Sequence, residues 1–130
     1  MKTFPAISVR QPNAGRIIAG ELRHDGRSRP TRFRGWILVH ASRTFRRDGS
    51  AKSDGNAPEL GRILGIVELA DCVADGDGWK YVWKNPRRFR RTIACRGHYS
   101  IPFYVPAKLV RGTAAARLSP GKLEGRRSAS

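Results

Sequence analysis

The sequence predicts an α+β fold that is mainly β. Strand-like runs of apolar or alternating residues recur along the chain, turn residues separate them, and only one short stretch has helical spacing. The expected strands are Phe4–Val9, Trp36–Ala41, Arg62–Ala74, Trp79–Trp83, Thr92–Cys95 and Tyr99–Val105. A chain of 130 residues is long enough for one domain with a hydrophobic core that needs no disulfides.

The first strand leads into a short helix, predicted over Pro12–Ala19. Proline fits the first helical position because its φ is fixed near the helical value and the missing N–H would be unpaired there. Gly20 is expected to end the helix. Arg10 and Gln11 then lie at the strand-to-helix junction, where free helix amides suit an anion.

A basic loop is predicted at residues 20–34, where almost no apolar residue occurs. Its arginines outnumber its acids, and this balance favours contact with phosphate groups. The arginines are Arg23, Arg27, Arg29, Arg32 and Arg34, against Glu21 and Asp25.

Two polar residues interrupt or end the most apolar strands. His40 ends the strand Trp36–Ala41, and it is either a hydrogen-bonded core residue or a polar group facing a cleft. Glu68 lies within the run Arg62–Ala74, where burial of a carboxylate requires a partner. An ion pair with an arginine and a role as a catalytic acid both remain open.

The next segment alternates aromatic and basic residues. Trp79, Tyr81 and Trp83 fall on one strand face, as a core row or as a surface for nucleobases, with Lys84 on the other. Asn85-Pro86 is expected to end this strand. The run 87–91, with Arg87 first, is too charged for a core strand and is typical of a rim that contacts phosphates.

The net charge of +16 favours a polyanionic partner, because binding releases counterions. A membrane partner is not expected, since no long basic amphipathic helix occurs.

Cys72 and Cys95 lack metal-site spacing, so we expect no metal site. We expect no other cofactor either. Without a signal-like or membrane-spanning segment, the expected location is cytoplasmic. Residues 111–130 are predicted to form a flexible basic tail after a domain spanning 1–110.

An ordered set of segments resembles the ASCH domain of the PUA-like superfamily. These are Ser-Val-Arg-Gln-Pro at 8–12, Arg-Phe-Arg-Gly-Trp-Ile-Leu-Val-His-Ala-Ser at 32–42, the strand 61–72, Trp-Lys-Asn-Pro-Arg at 83–87 and Cys-Arg-Gly at 95–97. The resemblance covers roughly residues 4–106. It implies a small β-barrel with short flanking helices and a cleft beside the first helix. The family is associated mainly with RNA binding, and some members are hydrolases of nucleic acids or modified nucleosides.

The chain departs from the ASCH-like amidohydrolases at their reactive positions. Their lysine position falls on Leu22, which cannot act as a base, nucleophile or charge stabiliser, and their threonine position falls on Asp25. Asn13 and Arg29 replace aromatic residues of many relatives, whereas Glu68 matches the acidic strand position. The resemblance therefore favours a binding module over an enzyme.

Three functions follow from these observations. The first is a module that binds nucleic acid, RNA before DNA, through Arg10, Gln11, Arg27, Arg32, Arg34, Lys84, Asn85 and Arg87. The second is a hydrolase of the same fold that uses His40 and Glu68. The third is a module whose basic surface docks on an acidic protein. The sequence indicates no oligomeric state.

Overall fold

The computed structural model describes residues 2–45 and 59–124. In chain order, its elements are β1 (Thr3–Gln11), α1 (Asn13–Ile18), β2 (His24–Arg27), β3 (Phe33–Phe45), β4 (Arg62–Asp75), β5 (Gly78–Ala94), β6 (Phe103–Pro106), two 3-10 helices (Ala107–Val110 and Ala114–Arg117) and β7 (Lys122–Leu123). Strands predominate over helices, so the prediction of a mainly β fold is confirmed.

The strands form an open sheet in the order β2-β5-β4-β3-β1-β6, with β7 pairing separately with β3. β1 and β3 run parallel, and the other paired strands run antiparallel. The expectation of a β-barrel is corrected here for the described strands. The four-residue edge strands β2 and β6 pair only with β5 and β1, so the sheet does not close on itself.

The open sheet buries apolar residues on both of its faces. Alternation along β3 sends Ile37 and Val39 to one side and Leu38 to the other. The first core packs under α1 and contains Ile7, Val9, Ala14, Ile17, Ile18, Phe33, Ile37, Val39, Ala41, Leu64, Val67, Leu69, Tyr81 and Trp83. The second core contains Phe4, Ala6, Leu38, Ile63, Ile66, Phe89, Phe103, Val105, Val110 and Ala115. Tyr81 and Trp83 of the aromatic row of β5 therefore belong to the first core, with the partly buried Trp79 packed against it, and burial excludes Tyr81 and Trp83 as a surface for nucleobases.

Helix α1 is slightly shorter than predicted, with Pro12 immediately before its first residue. Its apolar face is buried as expected. Gly20 has a φ of 82° and ends the helix as predicted. The Gly20 N–H donates to the Ile17 carbonyl and the Glu21 N–H to the Arg16 carbonyl, which together form a Schellman motif.

β5 runs through Asn85-Pro86, where the sequence predicted a strand end. Glu68 of β4 lies opposite Lys84, and Ile66 lies opposite Arg87, so β5 carries one extra residue at this point. Asn85 takes a φ of 54°, a conformation that asparagine tolerates. The dipeptide therefore forms a bulge within a continuous strand rather than a break.

Residues 111–124, which belong to the predicted tail, contact the second core through Ala115 and pair with β3 through β7. Ala115 is fully buried in the second core. The Gly121 N–H donates to the Trp36 carbonyl at 2.9 Å. At Gly35, a Cβ would lie 2.7 Å from the Gly121 Cα, so only glycine allows this approach. Residues 125–130 of the predicted tail lie outside the described residues.

Candidate nucleic-acid interface

A cleft of about 1330 Å³ opens where several strands end. Its walls come from the ends of β1 and β3, from β2, from Gly61 and from the segment 94–99, which begins at the last residue of β5. The parallel pairing of β1 with β3 brings their carboxyl ends to the same edge of the sheet. Side chains distant in sequence therefore meet around one concave surface.

Four arginines line this cleft: Arg10, Arg27, Arg43 and Arg96. Asp25 is the acidic residue of the lining, and its carboxylate accepts a hydrogen bond from Arg27 Nε at 3.1 Å. Within the described residues, the other three arginines form no ion pair with a carboxylate. All three are exposed. The cleft therefore carries a surplus of positive charge that suits anionic groups.

Arg27 is held in place by three contacts. Besides its bond with Asp25, its Nη2 donates to the Ser8 carbonyl at 3.3 Å, and its guanidinium lies over the Tyr81 ring at 5.6 Å from the centroid. Tyr81 in turn donates its hydroxyl to the Arg29 carbonyl at 2.8 Å. Arg27 is thus fixed on the cleft wall by contacts within the protein.

His40 lies at the floor of the cleft and is only 2% exposed. Its Nε2 lies 2.6 Å from the Cys95 carbonyl oxygen and its Nδ1 lies 3.1 Å from Ser8 Oγ. Burial lowers the pKa of His40; the Cys95 carbonyl opposes this effect and the charge of Arg43 adds to it. The interpretation of His40 as a hydrogen-bonded buried residue is therefore confirmed, and the residue also faces the cleft.

An aromatic pair stands on the wall formed by the segment 94–99. The rings of His98 and Tyr99 stack with centroids 4.5 Å apart and an interplanar angle of 20°. Tyr99 is 80% exposed, although tyrosine rings usually bury part of their surface. An exposed ring beside arginines offers a planar surface to which a base can stack.

Of the eight residues predicted to contact nucleic acid, Arg10 and Arg27 meet at the cleft. Gln11 is buried: its Oε1 accepts the Gly15 N–H at 2.9 Å, and its Nε2 donates to the Glu59 carbonyl at 2.9 Å. It ties β1 to α1 and to the segment before β4. Gln11 also occupies one of the helix amides on which the expected anion site depended.

The remaining five predicted residues lie outside the cleft lining: Arg32, Arg34, Lys84, Asn85 and Arg87. Arg34 donates to the carbonyls of Thr31 and Phe33 and lies 3.8 Å from the exposed carboxylate of Asp71. Arg87 lies over the Trp36 ring at 5.4 Å. The structure therefore does not bring all the predicted arginines to one crevice.

Glu68 and His40, the predicted catalytic pair, are separated along the sheet. Glu68 lies opposite Trp36, and His40 lies opposite Ile63. Trp36 and His40 are four residues apart on β3, or about 13 Å at 3.3 Å per residue. Glu68 instead accepts a hydrogen bond from Asn85 Nδ2 at 2.8 Å, so the two residues do not share a site.

Leu22, at the expected lysine position, packs against the first core.

The sequence analysis did not identify five residues as members of one site: Ser8, Arg43, Arg96, His98 and Tyr99. Ser8 and His40 occupy equivalent register positions on parallel strands, a pairing that period-2 patterns do not reveal. The position of Arg96, Gly97 and His98 was not predicted, because nothing local shows that this segment lies against Ser8 and His40.

The chain matches no known protein-family model, and it has no match among curated proteins.

Within residues 2–45 and 59–124, no cluster of three or more His, Cys, Asp or Glu side chains could hold a metal ion. Cys72 and Cys95 are free thiols, and burial raises the pKa of Cys95. No helix in the described part of the chain is long and apolar enough to cross a membrane.

Proposed function

We propose that this chain is an ASCH-like, PUA-like module that binds RNA in the cleft between β1, β2, β3 and the segment 94–99. The observation that carries the proposal is the set of four arginines around that cleft, with a single carboxylate that is already paired. Guanidinium groups bind phosphates through two parallel hydrogen bonds, so this lining suits a phosphodiester backbone.

The proposal assigns two roles to the cleft. Arg10, Arg43 and Arg96 are exposed and contact phosphates. Tyr99, stacked on His98, receives an unpaired base. Stacking on an exposed ring requires a base that is not already within a helix, so the expected ligand is single-stranded.

Salt dependence tests the proposal. Fluorescence anisotropy of a short labelled single-stranded RNA is measured at several salt concentrations with the full chain. Three phosphate contacts predict a slope of log K against log salt near −2, because each contact on a single strand contributes about 0.7. A DNA strand of the same sequence is expected to bind more weakly, because it lacks the 2′-hydroxyl groups that distinguish RNA.

Two triple variants with equal charge change separate the cleft from general attraction. The cleft variant is R10Q/R43Q/R96Q. The control is K2Q/R111Q/R117Q, which changes exposed residues outside the cleft. The cleft variant is expected to lose nearly all of the slope, and the control less than half of it. Equal losses in the two variants, or a flat slope for the unmodified chain, would contradict binding in the cleft.

A further inference from the structure

Ser8 and His40 form a hydrogen-bonded pair at the cleft floor. They lie opposite each other on the parallel strands β1 and β3, with Ser8 Oγ 3.1 Å from His40 Nδ1. His40 Nε2 lies 2.6 Å from the Cys95 carbonyl, which can only accept a hydrogen bond. Nε2 therefore carries the ring proton of neutral His40. Nδ1 is then the acceptor, and the Ser8 hydroxyl donates to it.

This arrangement contains the parts of an activated nucleophile. A serine hydroxyl becomes nucleophilic when a neighbouring base takes its proton and a third group orients that base. Here His40 is the base and the Cys95 carbonyl orients it. Burial lowers the pKa of His40, so the ring is neutral at pH 7 and its Nδ1 lone pair is available.

We propose that Ser8 is a nucleophile, activated by His40, that hydrolyses small carboxylic esters whose alcohol part carries a phosphate. This activity uses the same cleft as the proposed binding of RNA, with Arg10 and Arg96 common to both, but neither function requires the other. In this proposal the partner of His40 is Ser8, which contacts it directly, and not Glu68 as expected from the sequence.

The reaction follows from the atoms present. Ser8 Oγ bonds to the ester carbonyl carbon while its proton moves to His40 Nδ1. The bond between that carbon and the alcohol oxygen then breaks, and the alcohol takes the proton from Nδ1 as it leaves. Water attacks the acyl-serine with His40 again accepting a proton. The bond to Ser8 Oγ breaks, Oγ regains the proton, and a carboxylic acid is released.

Two adjoining cavities indicate the substrate class. Ser8 lines both the large cleft and a second cavity of about 210 Å³, whose lining is mostly polar, with Arg27 and Arg29 on it, and includes the apolar Ile101. The second cavity has room for an acyl group of several heavy atoms, since a water molecule occupies about 30 Å³ in the liquid. Arg10 and Arg96 in the cleft would then hold the phosphate of the alcohol part.

Gly97 covers the pair closely. A Cβ at this position would lie 2.5 Å from His40 Cε1 and 2.7 Å from Ser8 Oγ. Phe103 contacts the His40 ring edge-on, with centroids 5.9 Å apart. The imidazole is therefore fixed on several sides, which favours one orientation of the base toward Ser8.

A fluorophosphonate probe tests the nucleophile in the full chain. Attack by Ser8 Oγ on phosphorus expels fluoride, and intact-mass and peptide mass spectrometry locate the adduct. We expect labelling at Ser8, at least 100-fold slower in H40N and absent in S8A, with S119A as the unchanged control. S8C provides a second measurement if S8A does not fold, because a cysteine beside His40 should react faster with iodoacetamide than the same cysteine in S8C/H40N.

Substrate preference is measured with the acetyl ester of glycerol 3-phosphate and with the acetyl ester of glycerol. The phosphorylated ester is expected to have at least a tenfold higher kcat/KM, and S8A is expected to hydrolyse neither. A folded chain that gives no Ser8 adduct, or one whose labelling H40N leaves unchanged, overturns the nucleophile. Labelling without hydrolysis of either ester, or equal rates for the two, overturns the substrate class.

Discussion

Replacing Gln11 with methionine removes two hydrogen bonds from a buried side chain of nearly unchanged length. Gln11 is 5% exposed, accepts the Gly15 N–H and donates to the Glu59 carbonyl, each at 2.9 Å. The variant leaves one donor and one acceptor without these partners, at about 1–3 kcal/mol each. Because burial of the apolar methionine side chain offsets part of this cost, we expect the free energy of unfolding to fall by about 2–4 kcal/mol.

The melting temperature gives the measurement. At about 2.1 cal/mol/K of unfolding entropy per residue, 1 kcal/mol corresponds to about 4 °C in a chain of 130 residues. The expected decrease for Q11M by circular dichroism is therefore about 7–15 °C. The control N85G removes an exposed amide that donates to Glu68, and glycine accepts the φ of 54° without strain, so a change below about 4 °C is expected.

The same variant separates a structural Gln11 from one that binds nucleic acid. Because the side chain is buried, folded Q11M is expected to bind single-stranded RNA with the affinity and salt slope of the unmodified chain. A variant that keeps its melting temperature but binds RNA more than threefold more weakly would refute this reasoning, since Gln11 would then contact the ligand rather than support the fold.

Two further outcomes follow from burial. Leu38 is fully buried in the second core, so L38A should lose about 2–5 kcal/mol in denaturant unfolding, whereas L123A, at an exposed position, should lose less than about 1 kcal/mol. Burial lowers the pKa of His40 in the folded chain below its ordinary value of 6.5, so the unfolded chain binds the proton more readily. The free energy of unfolding should therefore be highest above pH 6.5 and should fall as the pH drops toward the pKa of folded His40. Melting curves between pH 5 and 8 check this, and an unchanged pH dependence in H40N would contradict it.

Local patterns were sufficient where burial follows the period of a strand or helix. The runs around Ile37 and Val67 were predicted as strands and are core strands, because consecutive apolar residues are buried on both faces of a covered sheet. Gly20 was predicted to end α1 because glycine takes a positive φ readily, and it does so here. The strand break at Asn85-Pro86 was wrong, since a bulge accommodates both residues within β5.

The residues of the site were less predictable. Arg34 and Arg10 look alike in a sequence rich in arginine, yet Arg34 lies near Asp71 and Arg10 lines the cleft. Gln11 looked like a ligand contact because it follows Arg10, but strand alternation turns it into the interior. Strand register and the positions of strand ends decide which arginines face the cleft. Neither can be derived from local composition.

By itself, the sequence determined the mainly β class, the apolar strands and the strong positive charge, because these depend on residue type and short-range period. Only the tertiary structure decided that the sheet stays open, that residues 111–124 pack on it, and that Ser8, His40 and Cys95 meet. The physical reason is that tertiary contacts join residues 32 and 55 positions apart in the chain. Such contacts depend on strand pairing selected by the burial of the whole sheet, and no single segment carries that information.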